Sequence, residues 1–140
     1  MEKAVIQAVV SAAATRAALA AAQDEAERLG VKINVAVVDA GGNLAGFLRC
    51  PGAFLHSITI AQDKAYTAAG FGLPTSQWPE IFAGMSETAR AGIAGRARFT
   101  GFGGGVPIVV DGQVVGGIGV SGASEEEDEQ CARAGLAAIG

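Results

Sequence analysis

The chain has 140 residues, of which 50% are hydrophobic and 17% charged, and its formal net charge is -4. This length favours a single domain over residues 1–140 that buries its core without disulfides or metal. The basic residues are scattered and no apolar run reaches the roughly 20 residues that span a bilayer, which argues against nucleic-acid and membrane partners.

The N-terminal half predicts a helix, a β-hairpin and a second helix. Apolar residues recur at helical spacing in two segments, the first of which ends at Gly30. Two stretches rich in apolar residues flank an Ala-Gly-Gly-Asn turn between them and predict paired strands. The predicted helices span residues 4–29 and 53–69, and the predicted strands span residues 31–39 and 44–49.

The C-terminal half begins with an irregular segment, residues 73–105, with short helical patches around 79–82 and 86–93. Such a long irregular segment inside a compact domain is usually functional. Two β-branched runs follow, joined by an Asp-Gly pair of the kind that makes a type I′ turn. The order α-β-β-α-(short helices)-β-β-α predicts an α+β domain with an antiparallel sheet flanked by helices.

The last helix begins at a capping box, Ser124-x-x-Glu127. Just before it, the stretch GGIGVSG (residues 116–122) contains the G-x-G-x-x-G pattern of dinucleotide-binding turns. Such a turn needs a parallel βαβ unit and a helix N-terminus free for phosphates. Here the strand belongs to a hairpin and four acids follow, so we expect the glycines to let a strand approach either the Ala-rich helices or a ligand.

Three stretches together resemble the GlcG/HbpS-like family of small haem-binding and glycolate-cluster proteins. They are VAVVDAGGNLAGFLR, GAFLHSITIAQDKAYTAAGF and GGGVPIVVDGQVVGGIGVSGASEEEDEQCARAGL. The resemblance implies a profilin-like or PAS-like fold with a five-stranded antiparallel sheet, homo-oligomers, haem binding in some members and a place in small-molecule catabolism in others. A related domain is fused to cobalamin adenosyltransferases, and the family has no single reaction.

This chain departs from the family at Arg49-Cys50-Pro51-Gly52-Ala53, where many members have R-M-D-G-A. Cys50 therefore becomes a candidate thiolate ligand of haem iron, or else a free, partly buried thiol. It and Cys131 are in no metal-binding spacing, and a reducing cytoplasm fits this cysteine usage best. We also include Arg49 among the predicted ligand-binding residues.

Three polar residues are candidates for chemistry. His56, the only histidine, is either a haem ligand or general base, or a polar helix residue bonded to nearby backbone. Its helical stripe, which includes Lys64, is predicted to lie away from the buried face. Lys64 is either an ion-pair partner or an anchor for a substrate carboxylate, and Asp39 is either catalytic or a turn-forming acid.

Aromatic residues concentrate in the irregular segment and could form a wall for a flat ligand, above a backbone floor of glycines. The alternative is that they plug the end of the sheet or a subunit interface. Arg98 and Arg96 flank the segment and either pair with a ligand carboxylate or lie on the surface. The predicted wall and floor are Trp78, Phe82, Phe99, Phe102, Gly103, Gly104 and Gly105.

Three functions remain open from the sequence. The first is a ligand-binding protein that holds haem or another tetrapyrrole. The second is a cofactor-free enzyme of the lyase, hydratase or isomerase type, with His56 as acid or base. The third is an oligomeric accessory subunit without chemistry.

Overall fold

The computed structural model describes residues 1–140, in which a four-stranded antiparallel sheet lies between helices. The helices are α1 (Ala12–Leu29), α2 (His56–Phe71), α3 (Trp78–Ala83), α4 (Glu87–Ala94) and α5 (Glu125–Ala137). The strands are β1 (Asn34–Asp39), β2 (Leu44–Arg49), β3 (Gly105–Val110) and β4 (Gln113–Ser121). The predicted α+β class and element order are confirmed.

The five-stranded sheet implied by the resemblance is wrong for this chain, because the sheet has four strands in the order β2-β1-β4-β3. The sequence offers four strand-like runs, and no further segment joins the ladder. Residues 1–10 form neither helix nor strand, and their backbone reaches the sheet through the amide of Val10, which donates to the carbonyl of Val115 at 2.9 Å.

The first helix begins eight residues later than predicted, at Ala12 rather than at residue 4. Ser11 causes this start, because its backbone is extended and its hydroxyl accepts from the amide of Ala14 at 3.1 Å. The predicted end is confirmed, since Gly30 adopts φ +74° and caps the last carbonyls. None of the helices combines the length and the apolar character needed to cross a membrane.

The two faces of β1 show how the sheet is covered. Val35 and Val37 belong to the larger core cluster, which also contains buried alanines of α1 and residues of α5. Ala36 and Val38 point the other way and pack with the alanines of α2. The sheet therefore has α1 and α5 on one face and α2 on the other, and these small side chains keep α2 close to the strands.

The glycines of GGIGVSG serve this close packing. A Cβ atom on Gly119 would lie 2.1 Å from the carbonyl oxygen of Ala61, and one on Gly117 would lie 2.4 Å from that of Ala65. No side chain fits at such distances, so the glycines let β4 approach α2. Because β4 pairs antiparallel with both of its neighbours, no βαβ unit is present. The structure thus selects the helix-packing role over the ligand role for these glycines.

Two local predictions near the C-terminus are confirmed. The turn between β3 and β4 has φ +51° at Asp111 and +77° at Gly112, as a type I′ turn requires. At the start of α5, the Ser124 hydroxyl accepts from the Glu127 amide at 3.2 Å, and the Glu127 carboxylate accepts in return from the Ser124 amide at 3.3 Å.

Candidate functional site

An open groove of about 360 Å³ lies between the second half of α2 and residues 93–99. We call it the α2 groove. Its volume is at the lower end of the range for sites that hold small organic ligands, about 300–1,000 Å³. The lining residues are Tyr66, Thr67, Gly70, Phe71, Ile93, Arg96, Ala97, Arg98 and Phe99.

Packed aromatic rings support one side of the α2 groove. Trp78 is 2% exposed and lies at the centre of the cluster. Its ring centroid is 4.6 Å from that of Phe71, 4.9 Å from that of Phe99 and 5.3 Å from that of Phe82. The Phe71 and Phe99 contacts are edge-to-face, the geometry that aromatic pairs favour. Because Phe71 and Phe99 also line the groove, buried Trp78 fixes its apolar surface.

Three of the four aromatic residues predicted to form a wall do contact one another: Trp78, Phe82 and Phe99. Phe102 is not part of this cluster. Its ring lies 4.9 Å from the Nζ of Lys64 instead. Phe71 was missed by the sequence reasoning, although it directly precedes the irregular segment. Phe71 is the last residue of α2, next to Gly72, whose αL backbone caps the helix. This position at the end of the helix is the signal that could have identified it as part of the site.

Arg98 lies at the mouth of the groove in an unusual backbone conformation, with φ +67°. Such a conformation is uncommon for a residue with a side chain and needs support from its surroundings. Buried Thr67 supplies that support: its hydroxyl donates to the Arg98 carbonyl at 3.1 Å and accepts from the Thr100 amide at 3.0 Å. The guanidinium pairs with Asp63 at 3.1 Å and stacks over the Tyr66 ring at 3.9 Å.

Arg96 also lines the α2 groove, and it differs from Arg98 because it forms no ion pair within the chain. Its side chain is exposed, so its charge is available to a ligand. The groove thus combines an apolar aromatic surface with an unpaired guanidinium at its edge. This arrangement suits a flat, largely apolar molecule that carries a carboxylate.

The sequence predicted that Lys64 lies on a polar face of α2, and this prediction is wrong. Lys64 is 0% exposed, whereas the apolar residue Leu55, just before α2, is 71% exposed. The reason is that α2 begins only at His56 and turns its alanines and Lys64 toward the glycine-rich β4. Lys64 therefore lies on the buried side of α2, although His56, on the same predicted stripe, is exposed.

The ammonium of Lys64 is held by partners inside the protein. It donates to a carboxylate oxygen of Asp128 at 3.0 Å and to the carbonyl of Val120 at 2.8 Å. Burial lowers the pKa of Lys64 and raises that of Asp128, while their mutual attraction opposes both shifts. Lys64 thus connects α2 to β4 and to the start of α5, and it does not line the α2 groove.

The glycine run before β3 does not form the floor of the groove, which corrects the sequence prediction for Gly103, Gly104 and Gly105. A Cβ on Gly104 would lie 2.6 Å from the Lys64 Nζ, and one on Gly105 would lie 2.5 Å from the Lys64 carbonyl oxygen. The Gly103 amide donates to Glu125 at 2.8 Å. Gly104 and Gly105 make room for the buried lysine, and none of the three glycines lines the groove.

The two candidate iron ligands predicted from the sequence lie outside the α2 groove. His56 is the exposed first residue of α2, and its imidazole makes no hydrogen bond within the chain. Cys50 is 7% exposed and belongs to the core cluster that contains Cys131, so its thiol is part of the interior. No group of three or more His, Cys, Asp or Glu side chains comes together as a metal site.

Asp39 and Arg49 are bonded to nearby backbone. The Asp39 carboxylate accepts from the amides of Asn43 at 3.0 Å and Gly41 at 2.9 Å, and these hydrogen bonds, that of Asn43 first, lower its pKa. The Arg49 guanidinium donates to the carbonyl of Ala53 at 2.8 Å. No hydrogen bond or ion pair joins Asp39 to His56 or Lys64, so the three predicted catalytic residues do not form one site.

Comparison with known proteins places these observations in a family. The family model described as haem degrading protein HbpS-like matches residues 10–137. The GlcG protein of Escherichia coli strain K12 is 34% identical over 113 residues, which are 81% of this chain and 81% of GlcG. The crystal structure of HbpS superposes with a TM-score of 0.90 at 36% identity, covering 99% of this chain and 95% of HbpS. The PduOC:haem complex gives a TM-score of 0.85 at 30% identity, with 93% and 94% coverage.

Proposed function

The chain belongs to the HbpS-like family of haem-degrading proteins, and from this premise we propose that it binds haem or a related tetrapyrrole in the α2 groove. The observation that carries the proposal is the pairing of a rigid aromatic surface with the unpaired guanidinium of Arg96. A relative of the same fold forms a complex with haem, which supports this ligand class.

The groove residues fit a tetrapyrrole in shape and charge. The macrocycle is flat and apolar, so its face would pack on Phe71, Ile93 and Phe99. Its propionates are carboxylates, for which Arg96 is a free partner and Arg98 a second one that already pairs with Asp63. Because the groove is open and about 360 Å³ in volume, it would cover one part of the ligand and leave the rest exposed. When bound, haem would supply iron chemistry, while these residues hold and orient it.

Absorbance titration of the purified protein with ferric haem tests the proposal. We expect saturable binding with a shifted Soret band in the wild-type protein. Arg96→Gln should weaken this binding about tenfold, because a charge-assisted hydrogen bond is lost. His56→Ala is the matched control, since His56 lies outside the groove, and it should bind as the wild type does. A linear, unsaturable response in all three proteins would overturn the proposal.

The other two functions find less support. A cofactor-free lyase, hydratase or isomerase using His56 needs an orienting partner, and the imidazole has none within the chain. An accessory subunit without chemistry has no need of a ligand groove, so the groove and its packed aromatic surface do not favour this function. Homo-oligomer formation, implied by the resemblance, stays a prediction, and so does the place of the protein in the cytoplasm and in small-molecule catabolism.

A further inference from the structure

We propose that Tyr66 binds the ferric iron of the groove ligand through its phenol oxygen, with Arg98 as the residue that positions the ring. This inference rests on the proposed function and adds to it the identity of the iron ligand. It replaces His56 and Cys50, which the sequence favoured and which lie away from the α2 groove.

Elimination among the nine lining residues leads to Tyr66. The lining contains no His, Cys, Met, Asp or Glu, so its iron-binding atoms are hydroxyl oxygens. The Thr67 hydroxyl is buried and already engaged with the Arg98 carbonyl and the Thr100 amide. The Tyr66 side chain is 38% exposed, and its hydroxyl makes no hydrogen bond within the chain. Tyrosinate is an established type of haem-iron ligand in proteins.

The Tyr66 ring is held between two neighbours, which fixes where its oxygen lies. On one side is Gly42, where an added Cβ would lie 2.6 Å from the ring carbon Cε2 and 2.8 Å from Cδ2. On the other side, the Arg98 guanidinium carbon stacks 3.9 Å from the ring centroid. A ligand atom that is held in place before binding loses less conformational entropy when the metal arrives.

Arg98 is itself held on both its backbone and its side chain. The two hydrogen bonds of Thr67 maintain its left-handed backbone conformation, and Asp63 pairs with its guanidinium. While paired with Asp63, the guanidinium still lies over the electron-rich face of the Tyr66 ring, a contact that holds the ring in place. The strained conformation thus has a use, because it places the guanidinium over the ring.

The binding step is a ligand exchange without redox change. When ferric haem binds, the Tyr66 phenol would give its proton to solvent and its oxygen would hold the iron as a phenolate in place of a water molecule. The iron stays ferric throughout, so the step needs no oxidant or reductant.

The test compares wild-type protein with Tyr66→Phe, using ferric haem and metal-free protoporphyrin IX as separate probes. Phenylalanine keeps the ring and its packing and removes only the oxygen. We expect Tyr66→Phe to bind ferric haem at least about tenfold more weakly and to bind protoporphyrin as the wild type does. Resonance Raman spectra of the wild-type haem complex should contain phenolate modes, which Tyr66→Phe lacks and His56→Ala retains.

Equal ferric haem affinity and identical Raman spectra in wild type and Tyr66→Phe would overturn the assignment while leaving the proposed function intact. Failure of the wild type to bind either probe would instead refute the proposed function, and the assignment with it. For Arg98, Arg98→Gln should move the phenolate-to-iron charge-transfer band, and Arg98→Lys should restore it in part. An unmoved band in Arg98→Gln would refute the positioning role.

Discussion

Asp128→Asn tests whether Lys64 is a structural residue or a reactive amine. The side chains of Lys64 and Asp128 are 1% and 4% exposed, and their nitrogen and oxygen lie 3.0 Å apart. The substitution keeps the shape of the side chain and its acceptor for the Ala123 amide, but it removes the charge and replaces the oxygen that accepts from Lys64 with an amide nitrogen. The Lys64 ammonium is then left buried beside Phe102 without a counter-charge.

The expected cost follows from the two ways in which the buried amine can respond. Breaking a buried ion pair at one partner costs about 3–5 kcal/mol. The alternative is that Lys64 gives up its proton, which from an ordinary pKa of 10.5 costs about 5 kcal/mol at pH 7. For 140 residues the unfolding entropy is about 0.3 kcal/mol/K, so a loss of 4 kcal/mol lowers Tm by about 14 °C.

Thermal and urea unfolding of four proteins measures this cost: wild type, Lys64→Met, Asp128→Asn and the double variant. We expect each single variant to be strongly destabilised and the double variant to lose much less than the sum, since no charge is left unpaired. Ferric haem affinity should be unchanged in the variants that remain folded, because neither residue lines the α2 groove. Single variants as stable as the wild type, or folded variants that no longer bind haem, would refute this reasoning.

Three further predictions test the account of the fold. Gly119→Ala should lower the free energy of unfolding by at least about 3 kcal/mol, because the added Cβ clashes with the backbone of α2. Gly92→Ala, in the open interior of α4, should instead raise the free energy of unfolding by about 0.5–1 kcal/mol. Equal urea midpoints for the two variants would contradict the packing argument. Ser124→Ala should cost about 1 kcal/mol by the same assay, and no change would show that the capping box is dispensable. Burial raises the pKa of Cys131 to about 12, so between pH 9 and pH 12 the native thiol keeps a proton that the unfolded chain loses. As the pH rises to 11, the free energy of unfolding of the wild type should therefore fall by about 3 kcal/mol relative to that of Cys131→Ala. Parallel pH profiles of the two proteins would contradict the burial of this thiol.

Local signals in the sequence predicted much of the fold. The turn at Asp111-Gly112 and the capping box at Ser124 depend on residues within four positions of each other, so the sequence contains all the information they need. The start of α1 was predicted too early because apolar spacing continues through residues 4–10. The capping hydrogen bond of Ser11 makes the helix begin at Ala12, and the spacing of apolar residues alone does not indicate this start.

The candidate site was less accessible to sequence reasoning because it depends on contacts between distant segments. Trp78 and Phe99 were grouped by composition, and packing adds Phe71 from the end of α2. The sequence prediction for Lys64 was wrong because a charged residue is expected to be exposed unless its ion-pair partner is known. That partner, Asp128, lies 64 positions away. The role proposed for Tyr66 likewise depends on a distant residue, because Arg98, 32 positions away, stacks on its ring.

The most direct test of the central claim is to locate the bound ligand by NMR. Amide chemical shifts of isotope-labelled protein are followed during titration with metal-free protoporphyrin IX, which avoids paramagnetic broadening. Binding in the α2 groove predicts that the largest shifts lie in the second half of α2 and in residues 93–99. Largest shifts around His56 and Cys50, or no saturable shifts at all, would contradict it.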